Sequence, residues 1–218
     1  DIQPHGQGLS YLGLVFDCYC ALRKLGLSID FLSADTRDFS AYKLVLAPGM
    51  MHMPDDLKLA LAESESQVIF GPRSAARDNH MTIPTPLPPD LPGFDVTVTA
   101  VQSLRPDLPI PLSSGGSIIG YQESLESTAK VALSSADGHK VAVQNRNMLY
   151  LGAWLDQTGF INLFESCCTA AGVPTVQMPK GVRRRLTGHE EFWFNYNPHA
   201  VETNVGNIQP ADFLKIEI

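Results

Sequence analysis

Between Tyr11 and Leu25 (YLGLVFDCYCALRKL) two apolar rows run at helical spacing, Leu12–Val15–Tyr19–Leu22 and Leu14–Cys18–Ala21–Leu25. Only a narrow polar stripe of Ser10, Gly13, Asp17 and Lys24 separates them. An ordinary surface helix carries one apolar stripe, so this helix is expected to be buried on more than one side. One side is assigned to a sheet and the other to a second domain or a second subunit. Gly26 stops the helix. Leu27–Leu32 (LSIDFL) reads as a strand, and Tyr42–Ala47 (YKLVLA) as another that ends at Pro48-Gly49. Helix, strand and strand in that order open an α/β sheet.

The pattern continues with Pro54-Asp55-Asp56-Leu57, a proline and two acids that start a helix with Leu57, Ala60 and Leu61 on its buried face and an end near Ser66. Gln67–Gly71 (QVIFG) is a buried strand closing on Pro72-Arg73-Ser74. The order α-β-β-α-β fits a doubly wound sheet whose first strand lies upstream. Residues 78–93 are proline-rich and are expected to lack regular structure. Strand patterns resume at Phe94–Val101, Ser117–Tyr121, Ala129–Leu133, Lys140–Gln144 and Met148–Leu151, with an Asp137-Gly138 hairpin turn. Thr158–Ala171 is a third helix, with Phe160, Leu163, Phe164 and Cys167 on one face and Gly172 as its stop. After Pro179 the pattern changes to short strands, Val182–Thr187, Glu191–Asn197, Ala200–Thr203 and Phe213–Ile218. They read as the start of an all-β unit, which divides the chain at 1–179 and 180–218.

Composition narrows the function classes. The 218 residues are 44% hydrophobic and 18% charged, with a net charge of −7. A nucleic-acid surface needs a basic patch, and the only basic run, Arg183-Arg184-Arg185, is too short to be one. No apolar run reaches the ~18 residues of a membrane span. The cysteines, Cys18/Cys20 and Cys167/Cys168, fall in helical patterns and lack framework spacing. They are read as reduced buried thiols, which favours a reducing compartment and a cytoplasmic location. Asp1–Gly6 (DIQPHG) shows no initiator Met, signal peptide or helix cap, so the chain reads as a piece of a longer protein.

Candidate chemistry is sparse. Gly71-Pro72-Arg73-Ser74 sits where a nucleophile elbow would fall, but Ser74 has no following glycine and no histidine or acid at a recognisable offset. His5, His52, His80, His139, His189 and His199 lack metal-ligand spacing, and no metal or cofactor is expected. Glu63/Glu65 and Glu123/Glu126, tested as an acid and nucleophile pair, lie in polar stretches and read as solvated faces. Met50, Met51 and Met53 cluster at a strand end, as a lid over the local core or as a partner surface. In EFWFNYN, alternation sends Phe192, Phe194 and Tyr196 to one face and Trp193 to the other. That suits a small sandwich core better than a sugar-stacking platform.

Three segments carry a resemblance: QPHGQGLSYLGLVFDCYCALRKLGLSIDF, DFSAYKLVLAPGMMHMPDDL and VIFGPRSAARD. With Tyr42–Pro48 and Gly71–Ser74 as its sharpest matches, the chain resembles the trimerisation domain of family 42 glycoside hydrolases, the β-galactosidases. GHEEFWFNYNPHAVE (188–202) is similar to the opening of that family's C-terminal β-domain. The Ala62–Gln67 segment departs from the family's Gly-Gly turn. The resemblance implies a flavodoxin-like fold, similar to class I glutamine amidotransferases but without their catalytic cysteine. It also implies a catalytic glutamate pair on an N-terminal (β/α)₈ barrel, which needs roughly 250 residues of its own. No catalytic residue is therefore assigned within this chain.

The reading is a non-catalytic assembly domain of a retaining β-galactosidase. Its partners are its own barrel and neighbouring subunits of a homotrimer, and galactosides meet the protein only through the barrel. Tyr11, Val15, Tyr19, Met50, Met51, His52 and Met53 are the candidate interface residues. Two other classes remain open: an amidotransferase-like hydrolase using Ser74 or a cysteine, and a carbohydrate-binding module using Trp193.

Overall fold

The computed structural model describes residues 9–218. The amino-terminal reading of Asp1–Gly6, and the first residues of the resemblance, lie outside them. In chain order the elements are α1 (Tyr11–Lys24), β1 (Leu44–Ala47), α2 (Asp55–Glu63), β2 (Gln67–Phe70), β3 (Pro89–Leu91), β4 (Phe94–Ser103), β5 (Ile110–Pro111) and β6 (Ser117–Glu126). Then come β7 (Lys130–Ser134), β8 (Lys140–Asn145), β9 (Met148–Leu151), β10 (Ala153–Leu155), α3 (Gln157–Ala170), β11 (Val182–Leu186), β12 (Glu190–Asn195), β13 (Val201–Thr203), β14 (Gly206–Ile208) and β15 (Phe213–Glu217).

The first sheet has the order β1-β2-β9-β8-β7. β1, β2 and β9 run parallel, and β8 and β7 continue antiparallel. Strands buried on both faces need apolar side chains at every position, and β2 and β9 show how these are shared. Ile69, Leu149 and Leu151 enter a core with α1 and α3, whereas Val68, Phe70, Met148 and Tyr150 enter a second core with α2 and β4. Gly152 carries the chain from β9 into the second, antiparallel sheet, β10-β6-β4-β3, with β5 paired to β6. A Cβ at Gly152 would sit 2.9 Å from Leu125 Cδ2, so the Leu125 side chain packs directly on this crossing. The fold is thus α/β, an open sheet with flanking helices followed by small all-β sheets.

Those last sheets, β11-β12-β15 and the hairpin β13-β14, share a small core of Val182, Trp193 and Ile208. Alternation along β12 holds as expected, but the buried side is Trp193's. Phe192, Phe194, Tyr196 and Phe213 stack on the opposite face, with centroids 5.8–6.3 Å apart.

Several expectations are corrected. Leu27–Leu32 is not a strand and makes no ladder with β1. The proline-rich stretch contains β3 at its end, because β4 offers it an edge. α2 ends at Glu63, short of Ser66, since Ser64 turns extended. α1 is capped after all: the Ser10 hydroxyl accepts from Gly13 N at 3.2 Å. β6 runs on through Glu123, which is buried.

Candidate functional site

Three contacts fix the rotation of α1. Trp154 Nε1 donates to Asp17 Oδ2 at 3.0 Å, Gln157 Nε2 donates to the Asp17 carbonyl at 3.0 Å, and Lys24 Nζ donates to Gln157 Oε1 at 3.2 Å. Gly13 completes the seam, because a Cβ there would meet the Trp154 ring at 2.9 Å. From Gly13 through Asp17 to Lys24 the polar stripe therefore faces inward, against Trp154 and the start of α3. Leu14, Cys18, Ala21 and Leu22 enter the core. What remains outside is apolar: Leu12 is 77% and Phe16 63% exposed, one helical turn apart. Phe16, Tyr19 and Phe31 stack in series at 6.5 and 6.1 Å, and Phe31 is 73% exposed. A contiguous apolar patch of this kind marks an interaction surface.

Behind this row lies a groove of about 640 Å³ between α1, the Leu27–Leu32 segment and β1. Tyr11, Val15, Tyr19 and Met50 all line it. The structure thus brings four of the seven sequence candidates together. It separates the other three. Met51 and Met53 are 2% and 3% exposed, a correction to their place among the surface candidates. Met53 lies under α2, where it packs with Leu57 and Leu61. His52 is exposed and forms a parallel bridge with Arg77.

Leu12, Phe16 and Phe31 were not singled out from the sequence as site residues. Their signal was present in the helical spacing, but spacing alone does not say which apolar row meets the sheet.

Glu123 is the other group the sequence misplaced. Its Oε1 accepts from Tyr121 Oη at 3.0 Å and from Arg73 N at 2.9 Å, and its Oε2 accepts from Tyr150 Oη at 2.9 Å. Burial pushes the carboxyl up to about 7, against the lowering effect of those three donors. The Arg73 guanidinium lies 5.9 Å from the centre of the Tyr121 ring. Glu123 therefore ties the loop after β2 to the second sheet. A retaining glycosidase needs a second carboxylate about 5–5.5 Å away, and here the partners are two phenols and a main-chain amide.

The remaining chemical candidates are absorbed into the fold. Ser74 is fully buried, and its hydroxyl donates to the Ala47 carbonyl at 2.6 Å. Burial pushes the thiols of Cys18, Cys167 and Cys168 up, away from the reactive thiolate form. Trp193 is in the core and donates to Glu191, which also pairs with Arg184. Among the described residues no three metal-capable side chains cluster, and no helix is long and apolar enough to cross a membrane.

Comparison with known proteins identifies the family. A Thermus thermophilus β-galactosidase is 33% identical over 213 residues, covering 93% of this chain and 32% of the relative. The crystal structure of a β-galactosidase from the psychrophilic Marinomonas ef1 superposes with a TM-score of 0.91 at 26% identity, over 99% of this chain and 35% of that one. A β-galactosidase from the Antarctic haloarchaeon Halorubrum lacusprofundi shares the fold, with a TM-score of 0.84 at 24% identity, over 99% and 37% of the two chains. The chain thus spans about a third of the length of these relatives. Residues 1–174 match the family described as the beta-galactosidase trimerisation domain, and the chain belongs to that family.

Proposed function

We propose that this chain holds three copies of a longer β-galactosidase together, with the exposed apolar row of α1 as part of the contact. The observation that carries this reading is the Leu12–Phe16–Phe31 surface in a member of the trimerisation-domain family. Tyr11 and Tyr19 extend the row along its groove side, and Val15 and Met50 lie deeper in the groove. His52 is a further surface candidate on the far loop. In the parent enzyme a separate barrel supplies the two carboxylates that hydrolyse terminal β-D-galactosides with retention, and this domain sets where the barrels stand around a threefold axis. Residues 180–218 begin the parent's C-terminal β-domain, and its compartment is the cytoplasm.

The test is the oligomeric state of the parent polypeptide carrying Leu12→Asp and Phe16→Asp. Both positions are exposed, so the fold is retained, with each change costing about 0.5 kcal/mol or less. Sedimentation is expected to show a trimer for the wild type and at least a tenfold weaker association for the double variant. A parent that is monomeric, or a variant that stays trimeric at the same concentrations, overturns the proposal. No geometry around Ser74, the cysteines or Trp193 favours the hydrolase or sugar-binding readings.

A further inference from the structure

The loops at the carboxyl ends of β1 and β2 are laced together. Ala75 N donates to the Met50 carbonyl and Arg77 N to the Met51 carbonyl, both at 2.9 Å, and His52 forms a parallel bridge with Arg77. Residues paired in this way carry their side chains on one face, with their backbones about 4.8 Å apart. His52 is exposed and Arg77 half-buried, so an imidazole and a guanidinium stand side by side at the edge of the two loops.

The guanidinium is short of acceptors. Arg77 Nε is buried without a hydrogen-bond partner, and Nη1 reaches only the Ala76 carbonyl, at 3.5 Å. Arginine brings five N–H donors, and a buried donor left unmade costs about 1–3 kcal/mol, so such a group calls for an acceptor. The acids nearby are already engaged. Glu123 is filled by its two phenols and the Arg73 amide. The Asp78 carboxylate closes its own turn, accepting from His80 N at 2.9 Å, Thr82 N at 2.8 Å and Thr82 Oγ1 at 2.5 Å. Asp55 pairs with Lys58 at 2.7 Å and Asp56 with Arg37 at 2.9 Å. Among the described residues neither Arg77 nor His52 forms an ion pair.

The pair adjoins the apolar row of α1. His52 follows Gly49 by three residues, and a Cβ at Gly49 would sit 3.3 Å from both Tyr11 and Leu14, in the first turns of that helix. Met50, whose carbonyl holds Ala75, lines the groove behind the row. In a trimer this surface meets another copy, and the chain is rich in the complementary charge, with 23 acidic residues against 16 lysines and arginines.

We propose that His52 and Arg77 form a receptor for one carboxylate, supplied by an aspartate or glutamate of a neighbouring copy. Arg77 Nε and a terminal guanidinium nitrogen take its two oxygens in the fork that arginine offers a carboxylate, and His52 adds a further donor. The inference rests on the trimer reading and gives it direction: the apolar row supplies contact area, and the ion pair fixes how the copies are turned against one another.

The experiment is sedimentation of the parent polypeptide at low and high salt, with Arg77→Gln, Arg77→Lys and His52→Gln beside the wild type. None of these changes touches the main-chain bonds of the loops. Arg77→Gln is expected to weaken association at least about tenfold at about 50 mM salt and about threefold or less at about 500 mM, because salt screens the charge it removes. Arg77→Lys keeps the charge without the fork and weakens association less than Arg77→Gln. His52→Gln weakens it about threefold, an independent variant on the other loop. The proposal is overturned if Arg77→Gln stays trimeric with unchanged affinity while the Leu12→Asp, Phe16→Asp variant dissociates, which leaves the trimer reading standing. It is also overturned if the loss is the same at both salt concentrations and accompanied by a lower urea midpoint, which would make Arg77 a support of its own loop. A monomeric wild type overturns both readings. Calorimetric titration of the wild type with sodium phosphate and with sodium succinate completes the test: no saturable binding is expected, and saturation by either would put a free anion between His52 and Arg77 in place of a neighbouring copy.

Discussion

The helix-flanked sheet and the C-terminal strands bury their apolar residues in different ways. In the first region β2 and β9 send side chains to two extensive cores, one on each face of the sheet. In the second, three fully buried side chains, Val182, Trp193 and Ile208, form the centre. Part of what surrounds them, Val176 and Met178, comes from the connection held to the end of α1 through Val176 N to the Leu25 carbonyl and Met178 N to the Lys24 carbonyl. The C-terminal unit therefore leans on α1. Each region also keeps one apolar face uncovered, the Leu12–Phe16–Phe31 row in one and the Phe192–Phe194–Phe213 stack in the other. The lesson is that an exposed apolar face sits on a layer with an extensive core of its own in the first case and on one that borrows its core from a neighbour in the second.

Truncating one core residue in each region tests that difference most severely. Phe160→Ala and Trp193→Ala each remove a fully buried aromatic side chain, at a cost of about 3–5 kcal/mol. Phe160→Ala is expected to lower the urea midpoint of the helical circular-dichroism signal. Trp193→Ala is expected to free the amides of β11, β12 and β15 to exchange while the helical midpoint barely moves. Equal loss of helical signal in both variants would show that the two regions unfold as one.

Glu123→Gln sharpens the contrast within the larger region, at its tie between sheets. The folded carboxyl titrates near 7 and the ordinary value is 4.5, so between these values the folded chain holds a proton that the unfolded chain has released. The stability from that proton is complete below the unfolded value and is lost as pH rises through 7. Glutamine keeps the group neutral at all pH. The stability of Glu123→Gln relative to wild type is therefore expected to rise by about 3 kcal/mol between pH 4 and 8. Chemical denaturation across that range measures it, and a flat difference would show that the carboxyl titrates normally. The smallest effect is expected at the shared helix. Ser10→Ala removes the cap of α1 and costs about 1 kcal/mol, seen as faster exchange at Gly13 with β2 unaffected.

Much of the fold was legible because periodicity reports burial directly. α3 lies one residue from its expected span, with Phe160, Leu163, Phe164 and Cys167 buried as expected. β4 lost its last two residues and β6 its second half in the reading because those stretches are polar, and Glu123 looks like any solvated glutamate until β6 carries it beneath Tyr121 and Tyr150. Leu27–Leu32 has the composition of a strand, but a strand exists only where a partner's main chain is within reach. The candidate site was half legible for a related reason. The apolar rows of α1 were plain, yet Asp17's contacts with Trp154 and Gln157, 137 and 140 residues away, decide which row faces out.

By itself the sequence determined what local chemistry controls: where helices start and stop, which strands are apolar on both faces, and the absence of a nucleophile elbow at Ser74. Only the tertiary structure decided what depends on distant partners. It turned the polar stripe of α1 inward, buried Met51, Met53 and Glu123, put Trp193 rather than its aromatic neighbours in the core, and left a groove beside β1. The physical reason is that periodicity fixes which side chains share a face, whereas packing and long-range hydrogen bonds choose which face meets water.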